Sequence, residues 1–370
     1  MLNVFPSAEL DGALEAYGGI FPLWDWVRLN GVTAEARAPV VCDSARSSDW
    51  AVENTAYVGG ASDGTSGAVA HDFRLHALSG QRSFFFFDDA VVALATNLTN
   101  APSPLPVRTA LVSRLLPAPA SDARGRLALG FANGTTLPSL PDGNHSFGAG
   151  ELAWLNAGGL GVLLPGGAAA LPVDIELGTA TGDYRSIGPF SGRVQGRLLT
   201  VTYAHGAALR GGASAYTLAP NATAADMPAR AASGSGVACS GSSSGAGGAL
   251  HVAVAVTAGA AAGAGAGGDV VVGAVAWGRG GGAYGGCAAA AGSGSFSMDG
   301  DGILLLRYNA SHVTATVAHP GAWAAGAARA VGQARQLRSA PGCDGDTLAL
   351  RLPAAGPFMG SSVAQVCELA

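Results

Sequence analysis

Tyr203 and His205 stand two residues apart, so a strand would carry both on one face, where phenol and imidazole form a possible base and carboxylate partner. The plainer reading of Tyr203-x-His205 is a structural polar pair at a strand end. Trp24 and Trp26 have the same spacing, with Asp25 turned the other way and Arg28 close behind. Indole faces suit the C–H faces of sugar rings, and a guanidinium pairs with carboxylates. The alternative makes both tryptophans core and Asp25–Arg28 a structural ion pair. Trp24, Asp25, Trp26 and Arg28 are the candidate binding residues. A serine-nucleophile pattern, G-x-S-x-G, occurs around Ser62 and again at Gly241–Gly245. The first has no helix pattern after it and the second lies in a low-complexity tract, whereas a nucleophile elbow needs strand, turn and helix together. His71 and His76 have no acid or nucleophile at a telling distance, and Asn309 with His312 reads as a surface turn. Glycine-rich segments lack the setting of a phosphate loop. No cofactor is expected.

The elements that must position these residues are strands. Long amphipathic helical patterns are nearly absent, and short β-type runs alternate with Gly, Pro, Asn and Asp. Expected strands include Ser83–Phe87, Val91–Leu94, Leu105–Leu116, Leu160–Leu164, Leu198–Tyr203, His251–Val256, Asp269–Trp277, Ile303–Tyr308 and His312–Val317. Four consecutive phenylalanines, Phe84 to Phe87, place aromatics on both faces of one strand and demand a central position between packed layers. A tight acidic turn at Asp88–Asp89 joins that strand to the next. The fold class is therefore all-β, a large layered sandwich. Residues 230–296 carry Ser/Gly/Ala tracts that bury too little apolar area to order themselves, and they read as floppy insertions around two strands. The expected division is a central β domain over 1–229, these insertions over 230–296, and the remainder of a small C-terminal β domain over 297–370. Ala322–Leu337 is the single helix-like stretch. The uncharged run 252–268 is mostly Ala and Gly, too weakly apolar to be expected in a membrane.

Composition narrows the partners. Charged residues are 12% of the 370, about half the usual ~25%, and all 20 basic residues are arginine against 25 acidic ones. A net charge of -5 with no clustered positive surface argues against nucleic acid. Five N-x-S/T sequons, at Asn97, Asn133, Asn144, Asn221 and Asn309, suit a secreted glycoprotein. The five cysteines, Cys42, Cys239, Cys287, Cys343 and Cys367, show no C-x-x-C spacing, which disfavours zinc and suits one or two disulfides. Glu9, Asp11 and Glu15 occupy the place where a signal peptide needs an apolar run, so export implies a start upstream of Met1.

Several blocks, taken together and in order, resemble polysaccharide lyase family 8, which includes hyaluronate, chondroitin AC and xanthan lyases. I-F-P-L-W-D-W-V-R-L-N-G-V-T-A (Ile20–Ala34) is similar to the family's W-D-W-x-R-x-P-G-T-T element. Y-V-G-G-A-S-D-G-T-S-G-A-V-A (Tyr57–Ala70) and R-S-F-F-F-F-D-D-A-V-V-A-L (Arg82–Leu94) resemble its glycine–aspartate and phenylalanine segments. A-W-L-N-A-G-G-L-G-V (Ala153–Val162), T-G-D-Y-R-S-I (Thr181–Ile187), Y-A-H-G (Tyr203–Gly206) and Y-T-L-A-P-N (Tyr216–Asn221) follow in the family's order. Asn30, Val32 and Ser66 depart from the pattern, which touches local loop geometry rather than the fold.

The resemblance implies an antiparallel β-supersandwich of galactose mutarotase-like type followed by a smaller C-terminal β-sandwich domain. It also implies that the family's catalytic Asn, His, Tyr and Arg belong to an N-terminal helical toroid that would precede residue 1. A family glutamate upstream of W-D-W has only Glu9 and Glu15 as counterparts, and Glu15 is carried as the weak catalytic candidate beside Tyr203 and His205. The expected function is that of the non-catalytic, carbohydrate-binding β portion of a lyase-like protein. Its partners would be an acidic polysaccharide outside the cell and a helical domain of the same polypeptide, with no nucleic acid, membrane or metal. The alternative is an extracellular carbohydrate-binding or scaffold module with no catalytic partner domain. A glycine-rich wall protein is disfavoured by the strand blocks.

Overall fold

The computed structural model describes residues 21–37, 57–116, 126–186, 191–233, 237–245, 248–256, 269–277, 280–283, 295–298, 301–308, 312–318 and 363–368. A 3-10 turn, Phe21–Leu23, precedes β1 (Thr33–Glu35), β2 (Val58–Ser62), β3 (Gly67–Leu75), β4 (Leu78–Phe86), β5 (Val91–Thr99) and β6 (Pro106–Leu115). Next come β7 (Leu127–Phe131), β8 (Thr136–Leu137), β9 (Gly143–Phe147), β10 (Leu152–Ala157) and β11 (Leu160–Leu163). These lead to β12 (Val173–Asp183), β13 (Arg193–Ala207), β14 (Gly212–Pro220) and a short helix, Met227–Ser233. The remaining strands are β15 (Val237–Gly245), β16 (Gly248–Val256), β17 (Val270–Trp277), β18 (Gly280–Ala283), β19 (Ser295–Met298), β20 (Gly302–Tyr308), β21 (His312–Ala318) and β22 (Val363–Glu368). The chain is all-β in the described residues, as its patterning requires.

Contacts divide the chain into two compact units. The first comprises Met1–Glu53, Arg74–Gly80 and Asn97–Ala232. Here an antiparallel sheet runs β1-β6-β13-β12-β9, and a second set runs β14-β11-β10-β7-β8. On β12 the alternation is clean: Val173, Ile175 and Leu177 are buried, while Asp174 and Glu176 face outward. Their neighbours Leu199, Val201 and Tyr203 on β13 share the inner face. Tyr203 donates its hydroxyl to the Ala215 carbonyl of β14 at 2.9 Å, so the inner face of the first sheet packs on the second set. Trp154, Leu163, Ala219 and Met227 fill a core on the second set, where Trp154 lies across Gly130 so closely that no side chain fits there.

The second unit comprises Asn54–Phe73, Gln81–Thr96 and Ser233–Ala370. It holds β2-β3-β4-β5 and a six-stranded antiparallel sheet, β15-β16-β17-β20-β21-β22, with the ribbon β18–β19 beside them. β17 is buried at every position, the signature of a strand covered on both faces. Phe85, from the phenylalanine run, packs into the space left by Gly273 on β17. The phenylalanine strand is flanked by β3 and β5, the central placement its composition demands.

Two expectations need correction. Trp24 and Trp26 are not on a strand; Trp24 lies in irregular chain directly after Phe21–Leu23 and Trp26 in the turn that follows. Ser240–Gly245 and Gly248–Ala249, expected as part of a floppy insertion, instead form most of β15 and the start of β16. Ladder hydrogen bonds come from backbone groups, which Ser and Gly supply as well as any residue. The tract 258–268, the helix expected at Ala322–Leu337, Glu9, Glu15, Asn309, Cys42, Cys287 and Cys343 lie outside the described residues. Among the described residues no helix is long and apolar enough to cross a membrane.

Candidate functional site

The segment 21–32 is held in place by its own turns and by the five-stranded sheet. Asp25 accepts the Val27 N–H at 3.0 Å, and its carbonyl accepts the Arg28 N–H at 2.9 Å. This side-chain hydrogen bond competes with strand pairing and wins locally. Gly31, at φ +73°, donates to the Ala110 carbonyl at 2.8 Å, and Asn30 accepts the Ser113 N–H, which seats the segment on β6. The Pro22 carbonyl rests against Gly182 of β12, and Leu23 against Gly196 of β13.

The result is a half-exposed aromatic platform. Phe21 and Trp24 meet edge to face with centroids 4.7 Å apart, and Trp24 and Trp26 are 5.4 Å apart. Beside it lies a charged network on the outer face of the sheet. Arg28 Nε donates to Asp25 at 2.6 Å, and its Nη1 donates to Glu176. Arg108 of β6 reaches Asp174 at 3.5 Å and Glu176 at 3.8 Å, and Ser146 of β9 donates to Asp174 at 2.7 Å. Burial alone would lower the Arg28 pKa, but the hydrogen bonds to Glu176 and Asp25 outweigh it and raise it above the ordinary value. Arg28 is committed to protein carboxylates; Arg108 is held more loosely and is a third exposed.

Tyr203 and His205 do not join this group. Both lie toward the inner face of the same sheet, with rings 6.5 Å apart. Tyr203 is 1% exposed, and desolvation raises its pKa well above the phenol range. His205 Nε2 bonds Thr109 at 2.8 Å, and Thr109 bonds Thr33 at 2.7 Å. Both side chains are engaged by hydrogen bonds at the sheet.

The glycine–aspartate block forms the β2–β3 turn. Asp63 Oδ1 accepts the N–H groups of Thr65 (2.9 Å) and Ser66 (2.7 Å), and Arg307 of β20 donates to its other oxygen at 2.8 Å. Ser62 donates to the Ser66 carbonyl and accepts the Gly64 N–H in a strand–turn–strand setting. His71 is buried deeply enough to lower its pKa to about 4, and His76 sits in the β3–β4 turn at φ +57°. Of His312 the structure describes only its place at the start of β21.

Among the sequons, Asn133 and Asn221 lie in exposed turns, Asn144 is exposed on β9, and Asn97 is half-buried in β5. A shallow concavity of about 450 Å³ opens beside Asn133, lined by Phe131, Ala132, Thr135 and Glu151. No cluster of three metal-ligating side chains occurs among the described residues. Sequence reasoning missed Phe21, Arg108, Asp174 and Glu176. The alternation Val-Asp-Ile-Glu-Leu over 173–177 was their one visible signal, since it places both acids on an outer face.

Residues 8–231 match the family model for the super-sandwich domain of polysaccharide lyase family 8. The chain belongs to this family. Chondroitinase-AC of Pedobacter heparinus is 28% identical over 115 residues, covering 31% of this chain and 16% of that protein. A chondroitinase AC lyase solved as enzyme–oligosaccharide complexes superposes with a TM-score of 0.64 at 15% identity, over 95% of this chain and 45% of that one. Xanthan lyase of Paenibacillus gives 0.61 at 18% identity, over 83% of this chain and 27% of that one. Chondroitin AC lyase of Streptomyces coelicolor A3, in complex with chondroitin sulphate, gives 0.58 at 23% identity, over 83% and 35%. These likenesses carry the fold. The family 8 chain spans less than half the length of each of these lyases.

Proposed function

We propose that this chain is the non-catalytic, carbohydrate-binding β portion of a family 8 lyase-like protein that acts outside the cell on a uronate-bearing polysaccharide. The carrying observation is the half-exposed platform of Phe21, Trp24 and Trp26 beside the guanidinium groups of Arg28 and Arg108. Aromatic faces suit the C–H faces of sugars. Arg28 holds the platform's trailing edge through Asp25 and Glu176. Arg108, with the looser ion pairs, is the cation that turns toward a uronate carboxylate.

Elimination from a uronate needs its carboxylate neutralised and a base at the neighbouring C–H. Among the described candidates no such pair is assembled: Tyr203 is sealed in the core and faces away from the platform. Chondroitin and xanthan, the polymers named for the relatives, are the first substrates to try. The test is to pass the 370-residue chain over immobilised chondroitin and immobilised xanthan and, in parallel, follow the ultraviolet absorbance of the unsaturated uronate. Retention without an absorbance rise is expected. A sustained rise would place the reactive groups in this chain, and absence of retention on either polymer would remove the binding reading.

A further inference from the structure

The sequon Asn144-His145-Ser146 lies on β9, the edge strand of the five-stranded sheet. Its register with β12 sets Asn144 opposite Glu176 and Ser146 opposite Asp174. Directly opposed residues in an antiparallel pair share a face, and the Ser146–Asp174 hydrogen bond of 2.7 Å marks that face as the outer one. Asn144, two residues away, stands on the same face as Glu176, the residue that binds Arg28. Neighbouring strands are about 5 Å apart, shorter than a single linked sugar with its branch, so anything attached at Asn144 covers the charged network first and the platform next.

Asn144 also differs from the other described acceptors. It is exposed on a strand, whereas Asn133 and Asn221 stand in turns. Asn133 Oδ1 is occupied by Thr135, with the N–H at 2.9 Å and the hydroxyl at 2.7 Å, and Asn97 is half-buried at φ +55°. An exposed edge strand invites pairing with a second chain, and a bulky polar group on it blocks that approach.

We propose that Asn144 is an N-glycan acceptor whose glycan lies over the Glu176–Arg28 network and the adjoining tryptophans, shielding the sugar-binding face. The shielding consequence rests on the function proposed above; the modification does not. In the transfer, Nδ2 of Asn144 forms a bond to the anomeric carbon of a lipid-pyrophosphate-linked oligosaccharide. The C1–O bond to the carrier breaks, the lipid pyrophosphate leaves, and Nδ2 gives one proton to a base. Such a donor belongs to a secretory membrane.

The experiment uses the full chain secreted from a eukaryotic host. Enzymatic removal of N-glycans converts an occupied asparagine to aspartate, so peptide mapping reads each site. Hydroxyl-radical footprinting then compares oxidation of Trp24 and Trp26 in the glycosylated protein, in N144Q and in S146T, with the buried Trp154 as internal standard. Asn144 is expected to be occupied in wild type and in S146T, which keeps the sequon, and Trp24 and Trp26 oxidation should rise several-fold in N144Q alone. An unmodified Asn144 in a protein that carries a glycan at Asn133 would overturn the site. Equal oxidation in wild type and N144Q would overturn the shielding. Neither readout involves polysaccharide, so failure of the binding function leaves both results standing.

Discussion

Gly182 is where the platform meets the sheet. A Cβ added there would lie well inside the 3.0 Å that real Cβ atoms keep, against the backbone carbonyl of Pro22, which cannot swing aside as a side-chain tip can. Gly182→Ala should therefore cost about 1–3 kcal/mol, as overpacking does. Gly178 on the same strand has open space around its Cβ position, and Gly178→Ala should change stability by no more than about 0.5 kcal/mol. Urea midpoints of the two variants check the contrast, and equal losses would show that Pro22 is not seated on Gly182. A second residue sets the response to acid. His251 is fully buried between Ser83 Oγ at 2.7 Å and Thr96 Oγ1 at 2.9 Å, and desolvation lowers its pKa to about 3. The unfolded chain takes up that proton first, near the ordinary histidine value of about 6.5. Stability should be full above that pH and fall by about 1.4 kcal/mol per unit below it, until the folded value near 3 is reached. His71 contributes in the same direction down to about 4. Urea melts between pH 7 and 5 should show a shallower slope for His251→Gln, and an unchanged slope would place the titration elsewhere.

At the scale of elements, the β2–β3 turn depends on a residue of β20. Arg307 donates to Asp63 at 2.8 Å, to Thr65 at 2.6 Å and to Ser66 at 2.9 Å. Burial alone would raise the Asp63 pKa, but Arg307 and the Ser66 and Thr65 donors hold it down at about 2. That contribution is present above the ordinary carboxylate range and is lost as pH falls toward 2. Arg307→Ala should cost about 1–3 kcal/mol at pH 7, the worth of hydrogen bonds to a charged group, and less at pH 3. Calorimetric midpoints at the two pH values test this, and equal losses would remove Asp63 from the account. The turn's own sequence, Ser-Asp-Gly-Thr-Ser, displays the aspartate and the loop; Arg307, 244 residues away, is invisible there because register and sheet order bring it in. The phenylalanine strand was legible because aromatics on both faces dictate burial on both. The Trp24–Trp26 spacing misled because a period of two is also produced by a turn, and Asp25 closes that turn by taking the Val27 N–H.

At the scale of the molecule, composition and strand punctuation carried the all-β class, and the ordered blocks from Ile20 to Asn221 carried the family, now matched over 8–231. The outer-face network was not legible. Arg28 meets Glu176 across 148 residues, and pairing of β12 with β13 and β9 creates the face that Arg108, Asp174 and Ser146 share. That face, not the strand of Tyr203 and His205, is where sugar is expected to dock. Isothermal titration of the unglycosylated chain with a uronate-bearing oligosaccharide tests this most directly, with Trp24→Ala/Trp26→Ala compared against wild type. Saturable binding by wild type and at least a roughly tenfold loss in the double variant are predicted. Equal affinities in the two proteins would contradict the account.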